Sequence, residues 1–137
     1  MARPMGGPVT GACDAELPVC AVCGREMTPR RRWASRGQTP RHCSRRCRGY
    51  RLGAADRALE AAIMALLEER PRGASICPAE AARRVRPGDW RSLMEPARMA
   101  ARRLAARGAI VFLEKGRPVN PSTARGPVRL GAGRRGL

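Results

Sequence analysis

The chain has 137 residues, and 28 Lys and Arg against 11 Asp and Glu leave a net charge of +17. Leu, Ile, Val and Phe together number 21, which excludes one hydrophobic core running the whole length and favours two small units. Such a charge points to a polyanionic partner, and no stretch approaches the roughly 20 apolar residues of a membrane-spanning helix.

Residues 1–17 are rich in Gly, Pro and Ala, carry no apolar run of signal-peptide length and read as a flexible tail, so the chain is expected in the cytoplasm. In that reducing compartment six cysteines serve metal binding better than disulfides. Four fall in two close pairs, Cys20-Ala-Val-Cys23 and Cys43-Ser-Arg-Arg-Cys47. Thiolates two or three residues apart converge on one ion while the long connection folds back, so residues 18–50 are expected to form a zinc finger. Its ligands to one structural Zn2+ are Cys20, Cys23, Cys43 and Cys47. Four sulfurs leave no coordination position for water, which argues against zinc catalysis; disulfides or an iron cluster are the rival uses of the same residues. His42 either replaces a ligand or stands outside the shell, since adjacent residues seldom point at one ion. Gly24 suits the positive φ of a zinc knuckle, and Ser44 is placed to cap a helix with Cys47 in its first turn.

The joint from Gly49 to Ala55 is too short to hold the units apart. Asp56 is expected to cap a helix with Leu59, Ile63, Leu66 and Leu67 on one face, ending before Pro71. Ser75 to Cys77 predict a short strand, Pro78 opens a helix to about Val85, and Pro87-Gly88 make a turn. A third helix, capped by Asp89 and stopped by Gly108, places Trp90, Leu93, Met94, Ala97, Ala101, Leu104 and Ala105 on one face and Arg91, Arg98 and Arg102 along a flank. Pro96 either kinks this helix or begins its main part. Ala109 to Leu113 and Pro127 to Leu130 predict two strands joined through a turn at Glu114-Lys115-Gly116-Arg117, and residues 131–137 read as a frayed tail. The expected fold is therefore small α+β: a treble-clef-like zinc finger, then a winged helix-turn-helix of three helices plus a β-hairpin over 56–130.

Residues 20–48 hold nine arginines against one acid, Glu26, more than a zinc–thiolate cluster requires. Arg30, Arg31 and Arg32 lead into Trp33, and with Arg45 and Arg46 they suggest a phosphate-binding surface with one base-stacking aromatic. The other reading is a solvated loop with Trp33 packed over the finger. In the second unit Arg91, Arg98 and Arg102 are the expected nucleic-acid contacts of the third helix, with Lys115 and Arg117 at the hairpin turn, and Arg103, Arg107 and Arg125, neutralising phosphates. That helix lacks Asn and Gln, so sequence preference is expected to be weak. Winged helices also dock on proteins, and the arginine flank could simply snorkel beside the core. The leading expectation is a non-enzymatic zinc protein that binds nucleic acid, DNA first; the alternative is an adaptor or inhibitor docking on an acidic protein surface. One histidine, a filled metal shell and scattered carboxylates supply no acid–base pair, and no small-molecule substrate is evident. Glu80, Arg83 and Cys77 are where an enzyme reading would turn first. Cys77 reads as a buried small residue or helix cap, and Cys13 as a stray thiol in the tail.

The pattern Cys20-x2-Cys23-Gly-Arg, then Arg30-Arg31-Arg32-Trp33, then His42-Cys43-Ser-x2-Cys47-Arg48 resembles a small bacterial zinc-finger family of unknown function. The finger is also similar to that of small bacterial DNA gyrase inhibitors, which bind a protein. Glu69-Arg70, Ile76-Cys77-Pro78-x-Glu80-x-Ala82-Arg83, Trp90-Arg-x-Leu-Met94, Lys115-Gly116 and Gly126-Pro127-Val128-Arg129-Leu130 resemble an uncharacterised winged-helix family often fused to that finger. Together the resemblances cover about 18 to 130; they imply fold and bring no activity. Ala79 stands where the second family often has Ser, Ala81 where it has Val, and Met27 and Pro29 where the finger tends to be aromatic.

Overall fold

A computed structural model describes residues 18–27 and 41–133. The first segment doubles back on itself: the Cys20 amide donates to the Arg25 carbonyl at 2.9 Å, the Met27 amide to that of Pro18 at 2.7 Å, and Val19 bridges Glu26. Helix α1 (Arg45–Arg48) follows Ser44, whose hydroxyl accepts the Cys47 amide at 3.2 Å and places Cys47 in the first turn, as the sequence predicts.

Helix α2 (Ala54–Glu69) begins two residues before Asp56, so Asp56 is not its N-cap. It stands on the first turn and reaches back, accepting the Gly53 amide at 2.9 Å and the Tyr50 hydroxyl at 3.0 Å. A short carboxylate can serve a free amide from either position, so the motif alone leaves the start ambiguous. The Tyr50–Asp56 contact also fixes the joint. Leu59, Ile63, Leu66 and Leu67 are buried along one face, as their spacing requires.

Strand β1 (Ser75–Ile76) and helix α3 (Pro78–Val85) lie where expected, with Cys77 at the N-cap and Pro78 opening the helix. The long third helix is two pieces instead. Residues Pro87–Leu93 form a 3₁₀ segment interrupted at Asp89, whose φ −146° and ψ 48° are not helical, and helix α4 spans Met94–Ala106. Pro96 falls in the first turn of α4, where an amide has no intrahelical acceptor and a missing N–H costs nothing.

The sheet corrects the two-stranded hairpin. Strands β2 (Ile110–Glu114), β3 (Arg117–Val119) and β4 (Arg129–Ala132) join β1 in one antiparallel sheet of order β1-β4-β2-β3. Lys115 and Gly116, at φ 52° and 81°, make the two-residue turn between β2 and β3, a conformation that suits the twist of paired strands. Pro118 hides β3 from sequence reading, yet β3 is an edge strand, where proline is tolerated. β4 carries order through Ala132, beyond the expected fraying point.

Leu59, Ile63, Ile76, Ile110 and Leu130 are fully buried between the helices and the sheet, with Ala81, Ala82, Ala97, Ala100 and Ala101 allowing close helix approach. The protein is thus small α+β, and among the described residues no helix is long and apolar enough to cross a membrane. Truncating Ile63→Ala should cost about 2–5 kcal/mol of stability through lost burial and the cavity left behind. Urea unfolding followed by circular dichroism measures this loss.

Candidate metal centre

The ligand atoms of Cys20, Cys23, Cys43 and Cys47 all lie within 4.8 Å of one another. Cys43 Sγ is 3.5 Å from that of Cys23 and 3.7 Å from that of Cys47. A tetrahedral ion bonded to sulfur at about 2.3 Å separates its ligands by about 3.8 Å, so the four sulfurs fit one metal ion. None is in a disulfide, and three are buried while Cys43 faces solvent. His42 stands outside the group.

Burial pushes the Cys23 thiol up to about 12 and raises Cys47 as well. Burial also acts against ionisation of Cys20, but the backbone amides of Cys23, Val22 and Cys43 donate to its sulfur and bring it down to about 6. The Val22, Cys23 and Cys43 amides thus favour thiolate at Cys20, and a bound cation would displace the protons that burial otherwise keeps on its neighbours.

The carbonyls of the same turn face the other way, onto α4. Arg102 Nε donates to the Cys23 carbonyl at 2.5 Å, and Arg103 Nη1 donates to that of Val22 at 2.6 Å. The Val22 carbonyl and the Cys23 amide belong to one peptide group. A guanidinium at its oxygen and the Cys20 sulfur at its N–H therefore polarise it in the same sense. Arg102 and Arg103 are only 5% and 6% exposed. Arg102 also donates to Glu95 at 3.3 Å; Arg103 donates to Glu60 at 2.7 Å, and Glu60 accepts from Arg107 at 2.9 Å. Burial, then the nearby charge of Arg25, weakens the hold of Arg102 on its proton, and Glu95 works against this.

Met99 completes the apolar cluster of Cys20, Val22, Cys23, Met27 and Cys47. Gly24 has φ +76°, and a Cβ there would lie 2.5 Å from Arg102 Cβ and 2.6 Å from its carbonyl carbon, so only glycine permits this approach. A second contact is polar: the Glu26 amide donates to Ser122 Oγ at 2.8 Å and Asn120 Nδ2 to the Glu26 carboxylate at 3.1 Å.

Residues 56–133, more than half the chain, match a family described as a protein of unknown function, DUF3253. The chain belongs to this family. Residues 15–50 match a second family, described as an uncharacterised protein conserved in bacteria, DUF2256. The four cysteines thus fall in the DUF2256 segment, and the arginines that hold their turn fall in the DUF3253 segment. No curated protein matches the chain.

The structure places the expected contacts in three groups. Arg102 does not share an open flank with Arg91 and Arg98: it is buried under the cysteine turn, a correction that extends to Arg103. Arg45, Arg46, Arg91, Lys115 and Arg117 are exposed and Arg98 is half-buried. Arg30, Arg31, Arg32 and Trp33, like Cys13, lie outside the described residues. Sequence reasoning missed Met99 and Arg103 as anchors of the cysteine turn. The available signal was spacing, since Met99, Arg102 and Arg103 form a second stripe on α4 beside the apolar one. Glu80, in the DUF3253 segment, accepts the Cys77 amide at 2.9 Å and pairs with Arg70, while Arg83 lies over the Trp90 ring. These two side chains therefore engage different partners and do not form one site.

Replacing Arg103→Met keeps the apolar stem and removes the donor behind the Val22–Cys23 peptide. Metal affinity should fall about 10- to 100-fold, as for other outer-shell partners, read by competition with a chromophoric chelator. Burial raises the Glu60 carboxyl, but the donors on Arg107 and Arg103 outweigh it and hold the group below its ordinary range. Its folded value then lies below the unfolded one, so its stabilisation is complete above the ordinary carboxylate range and disappears as pH falls through the lowered value. Glu60→Gln should lose about 1 kcal/mol at neutral pH and show a shallower loss on acidification, measured by thermal melts from pH 7 to pH 3.

Proposed function

We propose that the protein is a non-enzymatic, zinc-containing nucleic-acid-binding protein of the cytoplasm, with DNA as first candidate and weak sequence preference. A compact set of four thiols suits structural zinc, which is redox-inert and takes four sulfur ligands in a closed shell. Cys20, Cys23, Cys43 and Cys47 would hold it, and it would supply the energy that folds a segment poor in apolar residues.

The observation that carries the reading is the charge left after the structural ion pairs. Glu60, Glu69, Glu80 and Glu95 already serve Arg103, Arg107, Arg84, Arg70 and Arg102; of 28 Lys and Arg and 11 Asp and Glu, 23 basic residues remain against 7 acidic ones. Such a surplus repels itself, and phosphate contacts relieve it while releasing the counterions condensed on the nucleic acid.

The order of helices and strands supports a winged helix-turn-helix, in which α4 would be the groove-reading helix. Yet Met99, Arg102 and Arg103 of α4 are covered. The contacts we assign are therefore Arg98, the half-buried arginine of α4, and groups around that helix: Arg91, Lys115 and Arg117, with Arg45 and Arg46 on α1 and the Arg30–Trp33 stretch. These groups neutralise phosphates rather than read bases, which supports weak specificity. The same covered face is what favours a second reading, an adaptor or inhibitor docking on an acidic protein surface.

Fluorescence anisotropy with mixed-sequence duplexes tests the choice. Affinity should fall steeply with added salt, with a log–log slope of about −4 to −6 for five or six neutralised phosphates, and differ little between sequences. Absence of duplex and single-strand binding, with an acidic protein co-purifying in native mass spectrometry, would favour the adaptor.

A further inference from the structure

Arg83 on α3 and Arg91 on the 3₁₀ segment place their guanidinium carbons 4.4 and 4.7 Å from the centroid of one indole, that of Trp90. The ring is half-buried and packs on the main core, so it is a fixed support. Both arginines are exposed, and among the described residues neither is paired with a carboxylate. By contrast, Arg70, Arg84 and Arg107 each have a glutamate partner. Two like charges held against one aromatic ring repel each other, and the ring quadrupole returns only a modest attraction at an exposed site. What the group lacks is an anion.

We propose that Arg83, Trp90 and Arg91 form a preorganised clamp for phosphates of the nucleic-acid backbone, a proposal that rests on the nucleic-acid reading above. A guanidinium stacked on a ring uses its face and leaves its N–H edges free, and those edges match a phosphate bidentately. The stacking also fixes side chains that would otherwise lose rotamer freedom on binding. The segment beneath is tied down, because Ser92 Oγ donates to the Asp89 carbonyl at 2.9 Å and accepts from Arg86 at 3.2 Å, which brings a third guanidinium to the same turn. Asp89 is the acid of this turn, is exposed, and is ion-paired to neither arginine. With two cations against the indole, the ring serves as their support rather than as a stacking platform for bases. The clamp therefore recognises the backbone and is indifferent to sequence.

The test uses the full chain with a fluorescein-labelled 20-base-pair duplex in a potassium chloride series. The double variant Arg83→Lys/Arg91→Lys keeps the net charge and loses the planar forks; it should bind about tenfold more weakly, whereas Arg72→Lys should bind as the wild type does. Arg83→Gln/Arg91→Gln should reduce the salt slope by about two. Trp90→Leu keeps an apolar plug and should weaken binding severalfold; if it does not fold by circular dichroism, the lysine pair carries the test. Wild-type-like affinity and slope in both double variants would overturn the clamp and leave the nucleic-acid reading standing. A wild-type protein that binds no duplex or single strand overturns both, and equal affinity for a polyglutamate peptide overturns the assignment to phosphate.

Discussion

Two consecutive arginines taken out of water set the terms for the rest of the molecule. A buried cation without partners is costly, and Arg102 and Arg103 are held inside chiefly by the Val22 and Cys23 carbonyls, with the Glu60 and Glu95 carboxylates adding to their stabilisation. Those carbonyls are presented by a turn whose Val22 and Cys23 amides face the Cys20 sulfur and which brings Cys20 and Cys23 to the other two cysteines. The solvation of two arginines on α4 is in this way tied to the cysteine cluster. Arg103 Nη2 remains buried without an acceptor, a residual cost of this arrangement.

Much of this was legible in the chain because short-range chemistry decides it. The cysteine spacing, the Gly24 turn, the Ser44 cap, the apolar stripe of α2 and Pro78 at the start of α3 each depend on a few neighbouring residues. What escaped depends on distant partners. Arg102 reads as a surface residue until a backbone carbonyl 79 positions away occupies its guanidinium. Pro118 argues against a strand until the sheet order puts it on the edge, and the change from 3₁₀ to α geometry at Met94 is invisible to a helical periodicity that spans both pieces.

Abundant arginine here conceals a division of labour. One set is spent on backbone carbonyls and glutamates and belongs to the fold. Another, including the pair on Trp90, is held in place without a carboxylate and is the set that our proposal assigns to a partner. Composition counts the two together, and only their partners separate them. An α+β scaffold of this kind carries no activity by itself, so the functional argument rests on the second set.

The glycine-flanked joint before α2 divides the two family segments in sequence but not in energy. Severing the chain there would strip α4 of a covering it relies on, leaving a greasy thioether beside two stranded cations. The half that looks self-sufficient by length would then be prone to self-association.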